Sequence, residues 1–132
     1  YKLLVSNGAS PVPIPIQNVA ALLYENDEHN YKSCLHYDNN FKIAKNKLKK
    51  HYPNLLIPDA GFYLWLPVEN ELKVTLDLWK NYSVRVMPGV FMAATEHKNN
   101  PCKGYLRIAL VHNQDVVEDA MDRISDYFLK SK

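Results

Sequence analysis

The sequence predicts an α/β or α+β domain: a small mixed sheet with helices packed on one face. Three observations predict it. Tyr105-Leu106-Arg107-Ile108-Ala109-Leu110-Val111 is an apolar, partly branched run broken by one arginine, and it reads as a buried strand. Phe62-Tyr63-Leu64-Trp65-Leu66 is a second strand-like run, stopped by Pro67. Around both lie segments whose apolar residues recur at helical spacing.

In chain order, Leu3 to Val5 reads as a strand end, and Ser6 to Pro11 as a loop by its turn residues. Pro11, Pro13 and Pro15 keep the backbone extended until about Pro15, which suits a first helical position. Ile16, Val19, Ala20 and Leu23 then follow helical spacing. Asn26 or Asp27 caps the next helix, which runs to about His51 with the stripe Tyr31, Cys34, Leu35, Phe41, Ala44 and Leu48. Lys45, Lys47, Lys49 and Lys50 suit the negative end of its macrodipole and read as a solvated helix end rather than a nucleic-acid patch. Pro53 and Pro58 bracket a short extended piece, and Asp59-Ala60-Gly61 forms a turn before the Phe62 strand. Leu72, Leu76 and Trp79 at i, i+4 and i+7 predict a helix over about 69–81. Val84 to Met87 is a short strand ended by Pro88-Gly89, and Thr95 to Gly104 is a polar surface loop. After the Arg107 strand, Asn113 caps a last helix with the stripe Val116, Val117, Ala120, Met121, Ile124 and Phe128.

At 132 residues and 47% apolar content this is one domain, residues 1–132, with enough apolar surface for one core. Sixteen basic and fourteen acidic residues leave a formal charge of +2, which gives no argument for nucleic acid or an anionic membrane. No apolar run approaches a membrane span, and no signal peptide is legible. Cys34 and Cys102 are too few and too far apart for a disulfide framework and fit a reducing, cytoplasmic setting. The opening Tyr1-Lys2-Leu3-Leu4-Val5 has no turn or cap before it, so the chain is read as a segment of a longer protein.

Arg107 is the one residue that carries chemistry. Side chains alternate across a strand, so Leu106, Ile108 and Leu110 share one face, and Tyr105, Arg107, Ala109 and Val111 the other. A guanidinium there is costly unless it is paired or faces a wet cleft. Two readings are open: its planar fork holds the carboxylate of a small acid, or it makes a structural ion pair, the commoner role for a buried arginine. No metal site is expected: Cys34, His36 and Asp38 at steps of two do not share a helix face, and the histidines show no zinc spacing. No phosphate-binding glycine motif and no nucleophile–base set can be placed, so no catalytic residue is assigned.

Several segments, in order, resemble the fold-type I, pyridoxal-phosphate-dependent aminotransferases of class I/II. Ser10-Pro11 through Gln17 and the two helices after it are similar to the segment that follows the cofactor lysine. Gly61 to Leu66 resembles the first strand of the small C-terminal domain. Val84-Arg85-Val86-Met87-Pro88-Gly89-Val90-Phe91 resembles a V-x-V-x-P-G-x-x-F stretch, and Tyr105 to Leu110 the strand whose arginine binds the substrate α-carboxylate. Within the family the nearest resemblance is to the succinyldiaminopimelate aminotransferases of lysine biosynthesis, through Pro11 to Gln17, Asn26 to His29, and Asn100-Pro101 before Leu106 to Val111.

The resemblance implies that this chain is the C-terminal small domain of such an enzyme, with Arg107 binding the substrate and Pro88 to Phe91 shaping the cleft entrance. It implies pyridoxal 5'-phosphate as cofactor of the full-length enzyme, small amino acids and 2-oxo acids as substrates, a large domain as partner, and a homodimer. The family's Ser-x-x-Lys segment, its pyridinium aspartate and its phosphate-holding groups have no counterpart in this sequence, so the isolated chain is expected to be inactive. The loop Ser6 to Ser10 corresponds to one that lies near the active site across the dimer. Two alternatives stay open: an aminotransferase-like ligand-binding domain of a transcription regulator, and an independent binding module.

Overall fold

The computed structural model describes residues 2–8, 12–93 and 100–131. Its elements are α1 (Lys2–Gly8), α2 (Ile14–Tyr24), α3 (Glu28–Leu48), β1 (Tyr63–Pro67), α4 (Glu71–Tyr82), β2 (Met87–Pro88), a 3₁₀ turn (Gly89–Met92), β3 (Tyr105–Ala109) and α5 (Gln114–Lys130). The chain divides into two compact units, residues 1–33 and 34–132. Among the described residues no helix is long and apolar enough to cross a membrane.

In the first unit, α1 replaces the strand expected at Leu3 to Val5 and takes in Ser6 to Gly8 of the expected loop. Three apolar residues are too short a run to separate a period of 2 from one of 3.6. The Ser6 hydroxyl donates to the Leu3 carbonyl within the helix at 3.1 Å. Ala9, Ser10 and Pro11 lie outside the described residues. Pro15 falls in the first turn of α2, where its missing N–H costs nothing, and α2 buries none of its residues. Asn26 Oδ1 accepts the Glu28 N–H at 2.9 Å, the turn that opens α3.

The second unit is an α+β layer. β3 lies in the middle of a three-stranded sheet of order β1-β3-β2. Both pairings are antiparallel, so no neighbouring strands run parallel as a mixed sheet would require. The reason is the connection: a 3₁₀ turn and loop join β2 to β3, whereas a parallel neighbour needs a crossover. β1 and β2 flank β3 and run parallel to each other, with α4 between them in sequence. In register, Trp65, Arg107 and Met87 stand side by side across the sheet.

The inner face carries Leu64 and Leu66 of β1 and Leu106 and Ile108 of β3, all buried under α3, α4 and α5. Phe41, Ala44 and Leu48 of α3 and Val117, Met121 and Ile124 of α5 complete the core. The expected α3 stripe therefore splits: Phe41, Ala44 and Leu48 are buried, while Tyr31 and Leu35 are exposed. Lys47 leaves the lysine cluster to bridge α3 and α5, 2.8 Å from both Glu118 and Asp122, and these hydrogen bonds raise its pKa.

α4 turns opposite to the expected way. Val74 and Leu78 are buried, whereas Leu72, Leu76 and Trp79 are exposed. The helix carries apolar residues at i, i+4 on two faces, and spacing alone cannot say which one meets the sheet. Asn70 caps it, its side-chain oxygen accepting the Lys73 N–H at 3.0 Å. At the other end Ser83 adopts a left-handed φ of 56°, and the Val84 N–H closes the cap on the Leu78 carbonyl at 3.1 Å. That use of the Val84 N–H in the cap shortens the strand expected over Val84 to Met87 to Met87–Pro88. Asn113 occupies the cap position of α5, but its side chain makes no capping bond.

Candidate functional site

The outer face of the sheet is built by alternation along β1 and β3. Leu106, Ile108 and Leu110 point into the core, so Tyr105, Arg107, Ala109 and Val111 point out. Arg107 points out of this face, as the sequence predicts, and is half-buried on the middle strand, a place the sequence does not give. Its guanidinium carbon sits 4.3 Å from the centroid of the Tyr63 ring, a cation–π contact. Tyr63 faces Ala109 in the ladder, so Tyr63 and Arg107 are diagonal neighbours on one face. Trp65 stands beside Arg107 and packs edge-on against Tyr105, with ring centroids 6.3 Å apart. Met87 flanks Arg107 from β2.

Among the described residues, no Asp or Glu forms an ion pair with Arg107. The half-buried cation lies over an aromatic face, and among the described residues no acid occupies its donors. Five N–H donors in one plane match the two oxygens of a carboxylate.

One rim of this face is the Pro88–Met92 stretch. Gly89 is required there by space: a Cβ at this position would lie 2.0 Å from the Cys102 carbonyl oxygen and 2.8 Å from that of Tyr105. The backbone of the 3₁₀ turn thus rests directly on the approach to β3. Asn100 fastens the two together. Its Nδ2 donates to the Val90 carbonyl at 2.9 Å, and its Oδ1 accepts the Cys102 N–H at 2.9 Å. Phe91 projects into solvent from this turn. Thr95 to Asn99 of the expected polar loop lie outside the described residues.

Sequence reasoning singles out Arg107 and the Pro88 to Phe91 stretch, which the structure places on and beside the outer face, and it gives no sign of Tyr63, Gly89 and Asn100 as their supports. The Pro-Gly dipeptide reads as a strand stop and as part of the resembling stretch, but the close approach to β3 that requires Gly89 needs the fold. Tyr63 could have been found by pairing the two strands in register, which needs the fold.

The residues of this face do not make a pyridoxal-phosphate site. Tyr63, Trp65, Met87, Tyr105, Arg107 and Ala109 include no lysine to join the aldehyde and no backbone cradle for a phosphate. What the arrangement can do is bind and orient an anion at a sheet surface.

The chain resembles known proteins along nearly all its length. The model of the family described as "Aminotransferase class I and II" matches residues 1–124. A search of curated proteins finds no match. Among solved structures, an aminotransferase from Neisseria meningitidis Z2491 is 28% identical with a TM-score of 0.84, over 96% of this chain and 32% of that one. An aspartate aminotransferase from Thermotoga maritima has a TM-score of 0.76 at 21% identity, over 97% of this chain and 32% of its own, and shares the fold. An aromatic aminotransferase from Pyrococcus horikoshii shares it too, with a TM-score of 0.74 at 23% identity over 98% of this chain and 35% of its own. The chain thus spans about a third of the length of these structures. The transcription-regulator alternative gains no support from these likenesses. A family model that runs from the first residue through most of α5, on a fold shared with aminotransferases, places the chain in the class I and II aminotransferase family.

Proposed function

We propose that residues 1–132 form the C-terminal small domain of a pyridoxal-phosphate-dependent aminotransferase and that Arg107 anchors the substrate α-carboxylate. The observation that carries the anchor is a half-buried guanidinium set on an aromatic ring, with no ion-pair partner among the described residues. A structural arginine in that position would have a carboxylate of its own domain beside it. The large domain supplies the cofactor and its lysine. With pyridoxal phosphate bound, the enzyme moves an amino group between an amino acid and a 2-oxo acid.

In this reading each residue of the face has a task. Arg107 receives both carboxylate oxygens through its fork, and Tyr63 holds the guanidinium plane. Trp65, Tyr105 and Met87 exclude water around the ion pair, which strengthens it. The Gly89–Met92 turn forms the cleft rim, and movement of this domain against the large one closes the site. The amino donor proposed is succinyldiaminopimelate, on the resemblance of Pro11 to Gln17, Asn26 to His29 and Asn100-Pro101. The enzyme is proposed as a cytoplasmic homodimer.

Kinetics of Arg107→Lys and Arg107→Ala in the full-length enzyme test this. Arg107→Lys keeps the charge and loses the fork, so catalytic efficiency falls by about 2–4 kcal/mol, and further for Arg107→Ala. Cofactor absorbance and thermal stability stay near those of the wild type. Unchanged efficiency with a large loss of stability would make Arg107 a structural residue.

A further inference from the structure

Asn40 on α3 is fully buried, one of only two buried polar side chains among the described residues. Its Nδ2 donates to the Leu110 carbonyl at 2.9 Å and to the His112 carbonyl at 3.0 Å. The position of these carbonyls explains the need. The Leu110 N–H donates to the Phe62 carbonyl at 2.8 Å, just beyond the ends of β3 and β1. Leu110 lies one residue past the end of β3, and its carbonyl accepts from the Asn40 amide rather than from a strand N–H. The Asn40 amide thus serves as the donor where the ladder ends. Nε2 of His36, one turn earlier on α3, lies 3.2 Å from the same nitrogen and accepts from it in the tautomer that leaves Nε2 unprotonated. Oδ1 of Asn40 is buried with no partner among the described residues. A buried acceptor left bare is unfavourable, and the position keeps an amide for its donors.

The same stretch of α3 touches the other strand. Tyr37 packs on Phe62 with centroids 5.5 Å apart, Phe62 packs on Tyr63 at 4.4 Å, and Tyr63 carries the Arg107 guanidinium at 4.3 Å. Residues 36–40 thus hold the exit of β3 through Asn40 and the entry of β1 through Tyr37. These are the two ends that meet where Tyr63 faces Ala109. Arg107 lies on the diagonal of that pair, and its aim depends on how the two ends are held together.

We propose that Asn40 is a positioning residue for Arg107: by clamping the exit of β3 against the entry of β1 it sets the guanidinium over the Tyr63 ring and fixes the direction from which the fork meets a carboxylate. The functional half of this inference rests on the reading of Arg107 as the α-carboxylate anchor. The structural half does not.

The test uses Asn40→Asp, which keeps the shape but faces two carbonyls with no amide donor, and Asn40→Ser, which keeps one donor where the aspartate fails to fold. In the 132-residue chain, the ring current of Tyr63 moves the Arg107 Nε–H and δ-methylene resonances upfield. With the clamp loosened they move toward their random-coil positions in the folded population, more in Asn40→Asp than in Asn40→Ser. A lowered melting temperature with Arg107 resonances unmoved in both variants would overturn the proposal. In the full-length enzyme, KM for the amino acid rises about tenfold in the Asn40 variants while kcat changes by no more than about twofold. If Arg107→Lys alters KM and neither Asn40 variant does, the positioning role is refuted. If Arg107→Lys itself leaves KM unaltered, the anchor reading fails, and the resonance shifts still decide whether Asn40 sets Arg107.

Discussion

A guanidinium on a sheet can be stabilised by an acid of its own domain, by solvent, or by an aromatic face with an open edge. Among the described residues, the surroundings of Arg107 show the third, through Tyr63 at 4.3 Å. The outward direction of Arg107 was legible in the sequence, because alternation along one strand needs no knowledge of the fold. Its partner was not, because Tyr63 lies forty-four positions away in sequence and meets Arg107 only through the β1–β3 register. Asn40 was illegible for the same reason: nothing in the α3 sequence says that a strand end will arrive there. A second residue effect is testable by pH. Tyr52 donates its hydroxyl to the Pro67 carbonyl at 2.9 Å. Burial, and then the charge of Tyr127, push its pKa from 10.0 to about 12. Between those values the folded chain keeps a proton that the unfolded chain has lost. The stabilisation is therefore full below about pH 10 and is lost as pH rises toward about 12. Urea unfolding of Tyr52→Phe should show a shallower alkaline loss of stability than the wild type. Equal slopes would place Tyr52 in an ordinary solvated environment.

Among the elements, periodicity located α2 to α5 but not α1, and it gave helix faces less well. α5 presents Val117, Met121 and Ile124 to the core as its stripe predicts, with Val116 left outside. α4 was found but rotated, since Val74–Leu78 and Leu72–Leu76 are both i, i+4 apolar pairs and only packing against β3 chooses between them. Substitution separates the two faces. Leu78→Ala removes a fully buried side chain and should cost about 2–5 kcal/mol. Leu76→Ala, on the exposed face, should stay within about 0.5 kcal/mol. Chemical denaturation of both variants measures this, and a Leu76→Ala cost equal to that of Leu78→Ala would mean that α4 packs by the face the spacing first indicated. A short strand was legible before Gly89 but not its bounds, because they are set by the Ser83–Val84 cap and by Pro88, which has no N–H to extend the ladder.

At the scale of the molecule, all the core residues named fall between Phe41 and Tyr127, within the 34–132 unit. The chain from Cys34 onward should therefore unfold cooperatively by itself in urea, with coincident fluorescence and circular-dichroism transitions. A gradual, probe-dependent loss would show that residues 1–33 are needed for its core. Charge and composition gave no argument for nucleic acid or a membrane as partner, and the small-acid reading of Arg107 is the chemistry to test. The most direct test of that reading is a thermodynamic cycle in the full-length enzyme. An amino-acid substrate and its α-carboxamide analogue are compared in the wild type and in Arg107→Ala. If Arg107 grips the α-carboxylate, the wild type prefers the acid and the variant loses most of that preference, a coupling of about 1.5–3 kcal/mol. The same preference for the acid in both proteins would contradict it.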